Sequence, residues 1–402
     1  MLYNCCNPYL PLGVPMRLAL LALLIATSSL AAPYGPEYRA QVESTLHLPG
    51  CKGGHLPAPW RLPTRANAHW DVIHCDLYLY PHFATETLEG SVQFDCESRL
   101  EGLAEIRLDF RDEMSVDQVE ISGAPATYTR VNHEIVIVLD PPLALDQYFH
   151  VLVNYSGEPV SLGWGSFVWS EHEGVDLVAT LSEPEGARGW WPCKDVPDDK
   201  FTADLRYRVP NGFKAPGMGL LQSVYDHGDG TEEWHWREDY PITTYLIAMS
   251  VTDYDMWTDW YVRAPGDSLP IENYVWPELW EGAQEALSIT GEAMGLLESL
   301  FGTYPFDEEK YGHCVFTWGG AMEHQTMTSM GGLWHDVISH ELAHQWWGDM
   351  VTCADFRHIW LNEGWATWSE AFWKEHQEGV STYRAYMDGA AYMGPGTIFV
   401  ED

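Results

Sequence analysis

The sequence predicts an α+β protein of two domains, a β-rich domain followed by a mainly helical one. Its 402 residues exceed what a single hydrophobic core usually organises. Between about His69 and Asp255 the segments "DVIHCDLYLY", "SVQFDCES", "EIRLDF", "EIVIVLD", "YFHVLVNYSG", "FTADLRYRV" and "TTYLIAMSV" alternate or run apolar, as strands do. The stretch "HGDG" (His227–Gly230) among them reads as a hairpin turn. After "WYVRAPGDSLP" the pattern changes. "PELWEGAQEALSITGEAMGLLESLFG" (Pro277–Gly302) opens on Pro, spaces its apolar residues three or four apart and closes on Gly, which is a helical signature. The expected boundaries are a leader at 1–32, an N-terminal extension at 33–60, the β-domain at 61–255 and the helical domain at 256–402.

The leader is "MRLALLALLIATSSLAA" (Met16–Ala32), with a basic start, an apolar run too short to span a bilayer, and small residues near Ala31 for cleavage. Met16 is a second candidate start, because the residues ahead of it lack a basic n-region. Export to a periplasmic or extracellular space is therefore expected, with no stable membrane association after cleavage. Cleavage near Ala31 leaves Cys51, Cys75, Cys96, Cys193, Cys314 and Cys353, so disulfides become possible in an oxidising compartment. Cys75 and Cys96 sit in two segments that could pair as adjacent antiparallel strands and are the first pair to test. A net charge of −38 with 21 Lys and Arg opposes binding to nucleic acid or anionic membranes.

The chemistry is concentrated in "DVISHELAHQWWGDMVTCADFRHIWLNEGWATWSE" (Asp336–Glu370). Residues four apart on a helix share a face, so His340 and His344 can aim two imidazoles at one ion. Glu363 follows His344 after eighteen intervening residues, enough to end one helix, turn through "VTCADF" and return on a second. Two His and one Glu leave a fourth position open, the pattern of a catalytic rather than a structural zinc. Glu341, next to the first ligand, is the natural general base for a water bound there. Glu370 and Thr367, both on the Glu363 face of the second helix, are the two candidates for holding the outer nitrogen of a ligating His.

Upstream, "FTWGGAMEHQTMTS" (Phe316–Ser329) is a strand-like segment of small residues beside one carboxylate, Glu323. With the zinc motif, it resembles the gluzincin aminopeptidases of the aminopeptidase N family, peptidase M1. Their hallmark is Gly-Ala-Met-Glu-Asn followed by His-Glu-x-x-His and, after eighteen more residues, Glu. His324 stands where that family usually has Asn. The resemblance implies a saddle-like β-domain followed by a thermolysin-like, mainly helical zinc domain, truncated at its C-terminus. It implies one Zn2+ per chain and substrate contacts from Gly319, Gly320, Ala321, Met322 and Glu323, with Glu323 gripping the free α-amine of a peptide. An assisting acid aligns with Glu183 in "TLSEPEGARGWWPCKD" (Thr180–Asp195), while Glu185 falls two residues off the pattern. A carboxylate placed there rewards an ammonium and rejects a mid-chain amide.

The implied function is a zinc aminopeptidase acting on peptides with a free N-terminal amine. In the family a Tyr beyond the last zinc ligand donates to the oxyanion. It lies further on than the thirty-nine residues that follow Glu363, so Tyr383, Tyr386 and Tyr392 come too early to match it. The alternative reading is therefore a zinc-containing peptide-binding fragment with weak or no turnover.

Overall fold

A computed structural model describes residues 67–391. The leader, the extension, Cys51 and Tyr392 lie outside the described residues.

The β-region is built on an eight-stranded sheet. At its centre Trp70–His82 and Thr87–Ser98 pair antiparallel, and Trp70–His82 also pairs parallel with Lys200–Pro210. Thr231–Thr243 and Leu220–Asp226 extend one side. Tyr148–Gly157, Ser115–Ile121 and Ala124–Pro125 extend the other. Alternation accounts for the burial: in Thr87–Ser98 the inward row Leu88, Val92, Phe94 and Cys96 is buried while Glu89 and Gln93 are exposed. Two three-stranded sheets pack with it, one of Leu103–Asp109, Glu134–Leu143 and Tyr128–Val131, the other of Ser250–Val251, Val175–Thr180 and Phe167–His172.

A mixed five-stranded sheet then begins at Asp255–Ala264 and continues through Asp267–Val275, Tyr311–Val315, Thr328–Met330 and, at its edge, Ala321–Met322. Helices Trp280–Leu287, Thr290–Phe301, His335–His344, Trp360–Glu378 and Val380–Ala390 accompany it. No helix among the described residues is long and apolar enough to cross a membrane.

Two expectations need correction. "TTYLIAMSV" is not one strand: it holds a 3-10 turn at Thr244–Leu246 and a two-residue strand at Ser250–Val251. Every residue from Ile242 to Thr252 is buried, and a run buried on every side carries no periodicity that separates strand from irregular core chain. The Pro277–Gly302 stretch is helical, as its pattern predicts, in a 3-10 turn and two helices that break at Ser288, where Ser288 Oγ bonds Glu285 O at 2.7 Å and Thr290 Oγ1 bonds Leu287 O at 2.8 Å. Such hydroxyls compete with the helix ladder at the break. Cys75 and Cys96 do lie on paired strands, but Cys75 faces Phe94 and Cys96 faces Val72, so the two thiols are out of register. All five cysteines among the described residues are free and buried.

The two regions share one of the hydrophobic clusters, while two further clusters belong to the second region. Trp190, Trp191, Tyr245 and Met249 of the β-region cluster with Cys314, Phe316, Met322, Cys353 and Phe356 of the second. That packing brings β-region side chains to the metal helices.

Candidate active site

The helix His335–His344 ends on the second motif His, and the chain turns sharply through Gln345–Asp349. Gly348 adopts φ +136, and a Cβ there would stand 3.2 Å from His344 Nδ1 and 3.3 Å from Asn362 Nδ2. Only glycine takes that backbone without strain, and its bareness lets the loop lie against both helices. Phe356–His358 leads into Trp360–Glu378, which packs back over the first helix with Trp347 stacked on Trp365, ring centroids 4.8 Å apart.

Three side chains converge. His340 Nε2 and His344 Nε2 are 3.1 Å apart, and Glu363 Oε2 lies 3.5 and 3.9 Å from them. The outer nitrogens are both engaged: His340 Nδ1 meets Glu370 Oε1 at 2.7 Å, and His344 Nδ1 meets the carbonyl of Trp347 at 3.0 Å. With Nδ1–H donated to an oxygen in each ring, both Nε2 lone pairs face one point beside a carboxylate oxygen. That donor set suits a divalent cation. Tetrahedral zinc with bonds of about 2.0–2.2 Å sets donor separations of about 3.3–3.6 Å, which these distances bracket. Of the two candidates for the outer nitrogen, Glu370 makes the contact, and its other oxygen takes the hydroxyl of Tyr386.

A wall of acids stands beside this centre. Oxygens of Glu183, Glu323 and Glu363 lie within 4.8 Å of one another, as do the ligand atoms of Glu323, Glu341 and His344. Glu323 and Glu341 are buried, and Glu323 Oε1 and Glu341 Oε2 have no hydrogen-bond partner among the described residues. Burial, reinforced by the charge of Glu363, pushes the Glu323 carboxyl up to about 8. Burial and then the neighbouring acids raise Glu183. Burial likewise raises Glu341, with His340 opposing. Burial also drives His344 down to about 4, favouring the neutral ring that ligates metal. Carboxyls crowded in this way hold protons until a cation joins them.

Gly319 and Gly320 lie in the bend before the edge strand, Ala321 and Met322 form that strand, and Glu323 follows it directly. Phe316–Ser329 is not one strand: it holds the two-residue strand Ala321–Met322 and the start of Thr328–Met330, and Ala321–Met322 pairs with Thr328–Met330 at the edge of the sheet. Glu185 is held by Arg188, whose guanidinium bonds Glu185 at 3.0 Å and Asp195 at 2.7 Å. His324 is buried, with Nδ1 2.8 Å from Ser329 Oγ and its basicity pushed down to about 3 by burial. Thr367 is half-buried and plays no part in holding the imidazoles.

Sequence reasoning missed Tyr245 and Asn362. Asn362 Nδ2 donates to Tyr245 Oη at 3.0 Å, and the Tyr245 hydroxyl sits beside Glu323, where its contact favours the ionised carboxylate. The run "TTYLIAMSV" around Tyr245, buried throughout, disguised it, although an Asn immediately before the third candidate ligand was a visible signal.

A β-rich region joined to a mainly helical one that presents two imidazoles and a carboxylate is the architecture of two-domain zinc metallopeptidases. A solved two-domain M1 zinc metallopeptidase bound to L-arginine superposes with a TM-score of 0.71 and 26% identity, covering 81% of this chain and 78% of that one. A second, from Deinococcus radiodurans with a Tyr-Ser-Ala substrate, gives a TM-score of 0.70 and 25% identity over 84% and 81% of the two chains. The Peptidase M1 N-terminal domain matches residues 71–246, and the Peptidase family M1 domain matches residues 316–393. The chain belongs to peptidase family M1. Among curated relatives, Leucine aminopeptidase 2 of Vanderwaltozyma polyspora is 28% identical over 75% of this chain and 47% of its own length. Human Endoplasmic reticulum aminopeptidase 1 is 23% identical over 89% of this chain and 40% of its own. The chain thus spans about half the length of the curated relatives it matches.

Proposed function

We propose that the protein is a zinc-dependent aminopeptidase that hydrolyses the first peptide bond of peptides with a free α-amine. One observation carries this reading: the buried carboxylates of Glu183 and Glu323 stand within 4.8 Å of Glu363, the carboxylate that completes the His340 and His344 donor set. An ammonium bound by those acids lies next to the metal position, so the adjacent peptide carbonyl is the one presented for attack. One zinc per chain, held by His340, His344 and Glu363, would supply Lewis acidity that acidifies water and polarises the scissile carbonyl.

The chain's own residues supply the rest. Glu341 takes the proton of the attacking water and returns it to the leaving amine, its buried, unpartnered oxygen fitting that transfer. The backbone of Gly319–Met322, on an open sheet edge, aligns the substrate as an added strand. Glu370 and Trp347 O fix the two imidazoles in the tautomer that leaves Nε2 free. Export through the Met16–Ala32 segment belongs to the same proposal, and N-terminal sequencing of secreted protein tests it. Intact Met1 or Met16 on mature protein would count against export.

The catalytic reading is tested by amino-acid release from a short peptide. The zinc-loaded protein should liberate the first residue, and Glu341→Gln should lose about 10² to 10⁴ in rate while keeping its metal. An undiminished Glu341→Gln rate would remove Glu341 from this role.

A further inference from the structure

The loop that carries Glu323 is the tip of a small hairpin between Ala321–Met322 and Thr328–Met330. Glu323 opens it and Thr326 lies near its far end, in the left-handed region at φ +60. A β-branched residue there is an outlier, since glycine or asparagine usually takes such a position in hairpin loops. Every polar group of Thr326 is nonetheless engaged. Its N–H donates to Gln345 Oε1 at 2.9 Å, and its carbonyl accepts from Lys310 Nζ at 3.1 Å. Its hydroxyl accepts the N–H of Gly219 at 2.8 Å and faces Glu238 Oε2 at 3.4 Å.

The partners explain why a strained threonine is held here. Gln345 follows His344 directly, and Tyr304 Oη also donates to its Oε1 at 3.1 Å while its Nε2 donates to Asp349 at 2.7 Å. Gly219 and Glu238 belong to the β-region, and a Cβ on Gly219 would fall 1.9 Å from Arg237 O, so Gly219 packs directly against the strand that carries Glu238. Thr326 therefore ties the Glu323 loop to the β-region through its hydroxyl and to the end of the first metal helix through its backbone. A glycine would accept the same backbone more readily but would offer no hydroxyl.

We propose that Thr326 is a positioning residue for the amine-binding carboxylate: it fixes the placement of Glu323 relative to His340 and His344, and so the recognition of an α-ammonium one residue from the metal centre. This rests on the aminopeptidase reading above. Backbone strain persists at functional sites where surrounding contacts over-determine it, and four hydrogen-bonding contacts to Thr326 do so here.

The test is binding of L-leucinamide and of its des-amino analogue 4-methylpentanamide, measured by calorimetry on zinc-loaded protein of known metal content. Wild type should prefer the amine. Thr326→Val, nearly isosteric, and Thr326→Gly, free of the backbone strain, should each reduce that preference about tenfold or more with zinc content and des-amino affinity unchanged. Thr326→Ser, which keeps the hydroxyl, should retain it. Full preference in the valine or glycine variant would overturn the proposal. A proportionate loss of affinity for both ligands, or a loss of zinc from the folded glycine variant, would overturn it too by showing a purely structural role. If the valine variant fails to fold, the glycine variant decides. A wild type that ignores the amine would sink the aminopeptidase reading itself, a result distinct from variants that keep an existing preference.

Discussion

Glu370 lies thirty residues from His340 in the chain and 2.7 Å from its Nδ1. Its carboxylate, buried against the ring, sets the tautomer that turns the Nε2 lone pair toward the metal position. Replacing Glu370 with Gln should therefore weaken zinc binding about 10- to 100-fold, read by competition with a chelator, and leave the fold intact. Unchanged zinc affinity would make Glu370 a packing residue only. The candidate ligands His340, His344 and Glu363 were legible in the sequence because i,i+4 spacing puts the two imidazoles on one helix face and the eighteen-residue interval allows a second helix to return Glu363 to it. Tyr245 and Thr326 were not, because their meaning comes from contacts to residues 117 and 107 positions away, and no local pattern records those.

Among the elements, the turn between the two metal helices is the most constrained. Gly348 at φ +136 lets Gly348–Asp349 pass beside His344 and Asn362. Gly348→Ala combines positive-φ strain with contacts at 3.2 and 3.3 Å to those two side chains, and should cost about 1–3 kcal/mol of stability. Denaturant unfolding checks this, and the same variant should bind zinc more weakly because its nearest contact is to a ligand. A neutral Gly348→Ala would show that the turn is looser than its packing implies. The strands were readable where one face meets water, as in Thr87–Ser98, since alternation survives there. The chain around Tyr245 in "TTYLIAMSV" was not, because burial on all sides erases the period. The helix break at Ser288 escaped the sequence pattern because hydroxyl competition depends on backbone geometry.

At the scale of the whole molecule the order of a β-region and a helical region was visible from pattern changes, but their shared cluster was not. Trp190 and Tyr245 pack in one cluster with Met322 and Phe356, and Lys200 of the β-region reaches the carbonyls of Asp349 and Met350 in the metal turn. The two regions should therefore unfold together. Because the metal binds only the folded arrangement of two helices, chelation should lower the thermal midpoint, and added zinc should restore it in proportion to the logarithm of its concentration. A midpoint insensitive to chelator would mean that the site is not occupied by metal in the folded protein. The central claim, that a metal centre and an amine anchor act as one unit, is tested most directly by hydrolysis of a single peptide presented with a free and with an acetylated N-terminus. The account predicts release of the first residue from the free peptide and a rate at least about 10²-fold lower on its acetylated twin, because Glu183 and Glu323 lose their charged partner. Equal rates on the two peptides, or cleavage within the acetylated one, would contradict it.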